Sequence, residues 1–399
     1  MRVQRMNIQP RRCVQRLLGQ ITAPLNSRGP CRSRPPLPQR NVSTMRTSFA
    51  LATAVAVPAL FAFSGSEAAK IEFAPKAGSS LTKTFVSTTT MEMDDMAMTM
   101  NGEPSPMMPD IEMSMEMVAT TTVTDEYVAM AAGQPKKLSR TYDAIGSELE
   151  MDVVINMMGE EESQSPNGSG SSELEGATVI FAWNDEDGEY ELSFPEGEEG
   201  DADLLEDLSE DMDYRALLPD GELAEGESYE IDLMGLVNVM APGGDLKIDL
   251  EVDGAQAGMG PDPAMMSDFR QFFEDAVEGS ATGKFVEMRD VDGTSVAVIE
   301  LEMEVAASAD MSDMAAEAMG GEELPAEMSV DRMDLTMNLE GTGELLWNVA
   351  AGHVHSMTLQ ADMEIGMDMA MGMDMGGQSM DLGMEMAMSG SIKSSLETE

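Results

Sequence analysis

Between Met357 and Ile392 the chain alternates apolar and polar residues almost without a break. Met357, Leu359, Met363, Ile365, Met367, Met369, Met371, Met373 and Met375 occupy odd positions. After Gly376-Gly377-Gln378-Ser379, the residues Met380, Leu382, Met384, Met386, Met388 and Ile392 occupy even ones. Side chains of a strand point alternately to its two faces, so a period of two means a strand with one apolar face. A switch from odd to even across a Gly-containing loop keeps both arms of a hairpin apolar on the same side. Straight arms of about 20 residues would each reach on the order of 65 Å. That is too long for an ordinary sandwich, and Gly366, Gly372 and Gly383 are where such a sheet is expected to coil.

The same period recurs upstream. Ile111, Met113, Met115, Met117 and Val123 keep one parity, as do Leu149, Met151, Val153, Ile155 and Met157, and Met333, Leu335, Met337 and Leu339. In "FVSTTTMEMDDMAMTM" the parity changes between Met91/Met93 and Met96/Met98/Met100, which predicts a β-bulge at Asp94-Asp95. Two more hairpins follow from turn chemistry. "FAWNDEDGEYELSF" turns through "NDEDG", and "EMRDVDGTSVAVIELEMEV" turns at Asp292-Gly293, a pair suited to the positive φ angles of a type I′ turn. Met266, Phe269, Phe273 and Val277, with Pro263 before and Gly279 after, predict a helix. "DMSDMAAEAMGG" predicts a short one, and the polar stretches 159–176 and 196–211 predict mobile loops. The expected fold class is all-β, with long, curved antiparallel strands forming a large coiled sheet or half-barrel and one packed helix.

Charge narrows the partners. The chain carries 74 acidic against 23 basic side chains, a net charge of −51. From Lys70 onward only 8 Lys and 5 Arg face all but one of the acids. Such a surface repels nucleic acid and anionic lipid, and attracts loosely bound divalent cations. Both cysteines, Cys13 and Cys31, lie in the acid-free leader. Met45 opens a complete secretion signal: Arg46, an apolar run from Phe49 to Phe63, and the small-residue site "SEAA". That run falls short of the roughly 20 residues that span a bilayer, and no later stretch approaches them. The expected organisation is therefore an unstructured extension over 1–44, a signal peptide over 45–69 and a β-rich domain over 70–399, exported to the periplasm or medium. The extension reads either as an organelle transit peptide or as sequence upstream of the true start at Met45; the complete signal favours the second. A short echo between "YDAIGSELEMDV" and "WNVAAGHVHSMTL" raises a division into two related halves near residue 255.

Catalysis has little to work with. The two histidines are His353 and His355, no cysteine follows the leader, and no GxSxG occurs. The "NDEDG" turn fails as a calcium loop, because placing Gly188 at the sixth position puts Trp183 where the first ligand belongs. The expectation is a non-enzyme with no cofactor and a structural or binding role. Thioethers favour Cu(I), so His353, His355 and Met357, alternating along "HVHSM", are the candidate metal ligands. Against that, Leu359 and Ile365 continue the same face and bind nothing, while Met fills irregular cores well. A third reading takes the Met-lined face as a groove for an apolar ligand. In architecture this resembles the periplasmic lipid carriers of bacteria, half-barrels of long strands closed by a helix, with Phe269, Phe272 and Phe273 as the counterpart of that helix.

One local segment is more specific. Leu218-Pro219, then Gly226-Glu227 and Tyr229 ahead of a strand, resembles a pattern of uncharacterised secreted bacterial β-proteins; it covers about 20 residues and implies no activity. An outer-membrane barrel is excluded, since 5% aromatics cannot build interfacial girdles.

Overall fold

A computed structural model describes residues 68–105, 110–157, 160–198, 200–252, 276–312, 315, 328–374 and 379–399. The first half forms β1 (Ala69–Lys70), β2 (Ser80–Met100), β3 (Glu103–Pro104), β4 (Asp110–Ala131) and β5 (Gln134–Met157). It continues with β6 (Glu160–Gln164), β7 (Asn167–Ser172), β8 (Thr178–Asn184) and β9 (Glu189–Ser193). Two 3₁₀ turns lead to β10 (Glu222–Leu223), β11 (Ser228–Ile231), the helix α1 (Leu233–Met240) and β12 (Ile248–Val252). The long strands β13 (Val277–Val291), β14 (Thr294–Asp310), β15 (Met328–Asn348), β16 (His353–Asp374) and β17 (Ser379–Thr398) complete the fold.

Fifteen strands form one antiparallel sheet, with the main path β11-β13-β14-β15-β16-β17-β2-β4-β5-β7-β12. The all-β, long-stranded class read from the sequence is the class observed. The Met hairpin is β16–β17, with Met369 opposite Met384 and Met367 opposite Met386; its turn, 375–378, lies outside the described residues. The bulge stands where parity placed it: Ala387 pairs with Asp95 and Met388 with Met93, leaving Asp94 extra. Asp292 and Gly293 both have positive φ, 54° and 86°, as a type I′ turn requires. β17 pairs with β2, so strands on both sides of residue 255 belong to one sheet. Among the described residues no helix is long and apolar enough to cross a membrane.

The sheet is curled, and chain length shows why. Its two path ends, β11 and β12, are joined by residues 232–247 alone. Eleven flat strands would hold those ends about 48 Å apart. The linker spends eight residues in α1 at about 1.5 Å each, and even fully extended elsewhere it spans only about 45 Å. It is not extended, because Gly243 and Gly244 turn it at φ 88° and 80°. The path nonetheless ends in two free edges and does not close into a barrel.

Residues 68–79 and 202–247 fill one end of the curl, here termed the base. Ile71, Phe73, Met212, Tyr214, Leu217, Leu236 and Val239 are buried there against Phe85, Val123, Tyr142, Phe285, Leu345 and Trp347 of the sheet. Backbone bonds fix the plug at both flanks: Gly226 N donates to Phe285 O (2.7 Å) and Ala74 N to Gly352 O (2.8 Å).

Three expectations change. Residues 159–176 were expected to be loop, yet β6 and β7 lie in them and pair with β5. Gly168 and Gly170 permit this, since a Cβ at Gly170 would lie 2.2 Å from Ser147 Oγ. The expected acidic loop 196–211 ends in the core, where Glu210 is 5% exposed. The helix α1 stands where the sequence reading placed no element; Asp232 starts it by accepting a bond from Met234 N (3.1 Å). The helix expected around Phe269–Val277 lies outside the described residues except for its last positions, and of "DMSDMAAEAMGG" only a few residues are described. The extension 1–44 and nearly all of the signal 45–69 also lie outside them.

Candidate functional site

Beyond the base the same strands continue, and their inner face becomes half-buried. Register aligns its side chains in rows across the sheet. One row runs Met337, Ile365, Met388, Met93; the next Leu335, Met367, Met386, Met96; the next Met333, Met369, Met384, Met98. All of these except Met337 are half-buried. Met367, Met369, Met384 and Met386 are thus flanked by their row neighbours, and at the Met333 end of the rows Met311 and Ala315, beyond the end of β14, are buried. The outer face of the same strands is polar and acidic, with Glu300, Glu302, Glu304, Glu340, Glu364 and Glu385 exposed.

The rows end at a parting of two strands. β2 and β4 pair from Ser80–Glu126 to Glu92–Ser114 and then separate. Past that point β2 pairs with β17 on one side and only with β3 at Thr99 and Met100 on the other. An open cavity of about 620 Å³ lies in the parting, lined by residues 92–96, 111–114, Asp152 and Val154. The extra residue Asp94 marks where β2 bends away, as bulged strands do. Met93, Met96, Ile111 and Met113 belong to the inner face by alternation; Glu92, Asp95, Glu112 and Asp152 belong to the outer one.

The histidines do not form the expected set. Trp347 pairs with Val354 but Leu346 with Ser356, so His355 is an extra residue in β16. The bulge turns Val354, fully buried, onto the face of Met357, which is 1% exposed. His353 and His355 are left half-buried, and His353 Nδ1 lies 2.7 Å from Val354 O. Alternation alone had put His353, His355 and Met357 on one face; it fails at an irregularity the sequence does not announce. Among the described residues no three His, Cys, Asp or Glu side chains are grouped to hold a metal ion.

The base holds charges that sequence reading missed. Arg140 grips Asp125 with two bonds, Nε to Oδ1 (2.7 Å) and Nη2 to Oδ2 (2.9 Å), and also donates to the carbonyls of Ser209 and Glu210. Lys83 Nζ reaches Asp125 Oδ2 (2.8 Å), Asp213 Oδ1 (2.6 Å) and the Tyr127 hydroxyl (2.9 Å), which in turn donates to Asp213. The four charged side chains are fully buried and their formal charges cancel. Burial alone would raise the Asp125 carboxyl, but Arg140 and Lys83 outweigh it and hold it at about 2. Glu210 goes the other way: burial pushes it to about 7, although Arg215 pairs with it. The signal was there to find. Lys83, Asp125 and Arg140 each share strand parity with buried apolar neighbours: Phe85; Val123 and Tyr127; Leu138 and Tyr142.

The Leu218–Tyr229 segment also has its place. Tyr229 Oη donates to Leu217 O (2.6 Å), Gly226 adopts φ 85°, and Glu227 accepts from Ala224 N (2.8 Å). It forms a rigid corner that carries β11 to the sheet edge. Compared with known proteins, the chain matches no family model and no curated sequence.

Two chemistries are therefore separated in space. The base has a paired, water-excluded ion network suited to holding a plug in place. The distal half has an apolar, Met-rich inner face whose side chains are half-buried.

Proposed function

We propose that this chain is an exported, non-catalytic binding protein that carries a flexible apolar ligand on the inner face of its curled sheet. The observation that supports it is the set of half-buried Met rows joining Leu335 to Met96 and Met333 to Met98. Unbranched thioethers adapt to ligands of irregular shape better than Leu or Ile, and the acidic outer face keeps the loaded and empty forms soluble. The reading assigns no reaction step to any residue. The signal at Met45 supports export, where apolar cargo needs a carrier through water.

The test is a titration of the exported protein with a neutral fluorescent probe, N-phenyl-1-naphthylamine. Saturable binding near micromolar, on the order of −8 kcal/mol, is expected. It should be lost in a Met369→Asp, Met384→Asp double variant that keeps its β circular-dichroism spectrum. A wild-type protein that is folded and binds no probe would overturn the reading. Cu(I) titration under reducing conditions tests the metal alternative; weak binding, unchanged by His353→Ala with His355→Ala, is expected.

A further inference from the structure

The parting of β2 from β4 says something about the ligand, if the carrier reading holds. Two apolar rows of the inner face reach the parting through Met93 and Met96, and Ile111 and Met113 line its far side. Through the gap the lining changes character. On the outer side it consists of Glu92, Asp95, Glu112 and Asp152 together with Ser114 and Val154, and Asp94 stands at the bulge itself. All five carboxylates are exposed. Their described partners are hydroxyls only: Ser389 Oγ donates to Asp94 (2.9 Å) and Ser165 Oγ to Asp152 (2.6 Å). Elsewhere on the same outer face acids do find cations, as Asp368 pairs with Arg332 and Glu344 with Arg289.

We propose that the parting is a head-group site and that the ligand is a cationic amphiphile: an aliphatic chain lying along the Met rows, ending in an ammonium held among the carboxylates at Asp94. Three features support this over an anionic or neutral ligand. The cavity is lined both by inner-face apolar residues (Met93, Met96, Ile111, Met113) and by outer-face carboxylates, so one molecule can meet both. Its volume of about 620 Å³ suits a head group with its first methylenes, given the 300–1,000 Å³ typical of ligand sites. A fatty acid would bring its carboxylate to five others, and like charges at such distances repel. The carboxylates are not gathered as a chelate, since no three acids among the described residues are close enough to share a metal ion; a diffuse ammonium head needs no such convergence.

The experiment compares dodecylamine, dodecanol and dodecanoate, each below its micellar concentration, as competitors of the neutral probe on the exported protein. Dodecylammonium should displace the probe at about ten-fold lower concentration than dodecanol, with dodecanoate the weakest, in line with one well-placed ion contact. In Asp94→Asn, Asp95→Asn, Glu112→Gln, Asp152→Asn that preference should fall to about two-fold or less with dodecanol unaffected. A control removes four acids from the outer face away from the parting: Glu300→Gln, Glu302→Gln, Glu304→Gln, Glu340→Gln. It changes net charge equally and should keep the preference. Equal displacement by all three competitors, or equal loss in the control, would overturn the head-group site and leave the carrier standing. Failure of the probe and all three competitors to bind would overturn both.

Discussion

At the level of Phe285, Ile299, Leu345, Met357, Leu396 and Phe85, the inner face of the sheet meets a second layer and every one of these side chains is buried. Further along the same strands, Leu335, Met367, Met386 and Met96 present an equally apolar row that is only half-covered. Strand pairing and alternation are the same at both levels. The difference is the plug, and the plug is held by charges. Lys83, Asp125, Arg140 and Asp213 tie residues 209–213 to three strands. Buried ion pairs stabilise little against a hydrophobic alternative but cost heavily when half-broken, so they fix where the plug sits more than how firmly the strands pair. The proposed carrier role would use the half-buried face and not the sealed base.

Four measurements would break or sharpen that contrast. The largest effect is expected for Asp125→Ala, which leaves Arg140 and Lys83 buried with one carboxylate between them. Urea denaturation should show a loss of about 3–5 kcal/mol. A loss under about 1 kcal/mol would mean that the network does not hold the base.

Next is truncation at the two levels. Leu345→Ala, at a fully buried site, should cost about 2–5 kcal/mol. Met369→Ala should cost about 1 kcal/mol, because a half-buried side chain forfeits less area and leaves no sealed cavity. Equal costs would show the distal rows to be as tightly packed as the base.

pH separates the base further. Glu210 has its carboxyl raised from about 4.5 to about 7 in the folded state. Its contribution is therefore complete below about pH 4.5 and is lost as pH rises through 7, by on the order of 3 kcal/mol. Asp125, held at about 2 against an ordinary 3.8, contributes above pH 3.8 and loses that contribution as pH falls through 2. Thermal melts should place the maximum near pH 4–5, and Glu210→Gln should flatten the decline between pH 5 and 8. A wild-type melting temperature that climbs across that interval would contradict the burial assigned to Glu210.

The smallest effect is expected for Met369→Leu, a swap of similar volume on a yielding face, at under about 1.5 kcal/mol. Its informative readout is probe affinity: a stiffer branched side chain should weaken binding of the fluorescent probe while the melting temperature hardly moves. Unchanged affinity would indicate that Met flexibility has no part in binding.

By itself the sequence determined every feature that depends on neighbours along the chain. Parity gave the long strands, the Met hairpin and its apolar side and the bulge at Asp94, because the two faces of a strand are set by local backbone geometry; turn chemistry gave the turn at Asp292-Gly293. Its reach ended at irregularities. The bulge at His355 moved the histidines off the Met357 face, and within an expected loop β6 paired with β5 while two glycines let β7 lie against it. Three things were decided only by tertiary structure. The curl came from a linker too short for a flat sheet. The ion network joined Lys83, Asp125, Arg140 and Asp213, residues far apart in sequence. The parting opened where β2 keeps β17 and releases β4. Each rests on contacts between residues separated by tens to hundreds of positions, and no periodicity read along a chain encodes which distant strand becomes a neighbour.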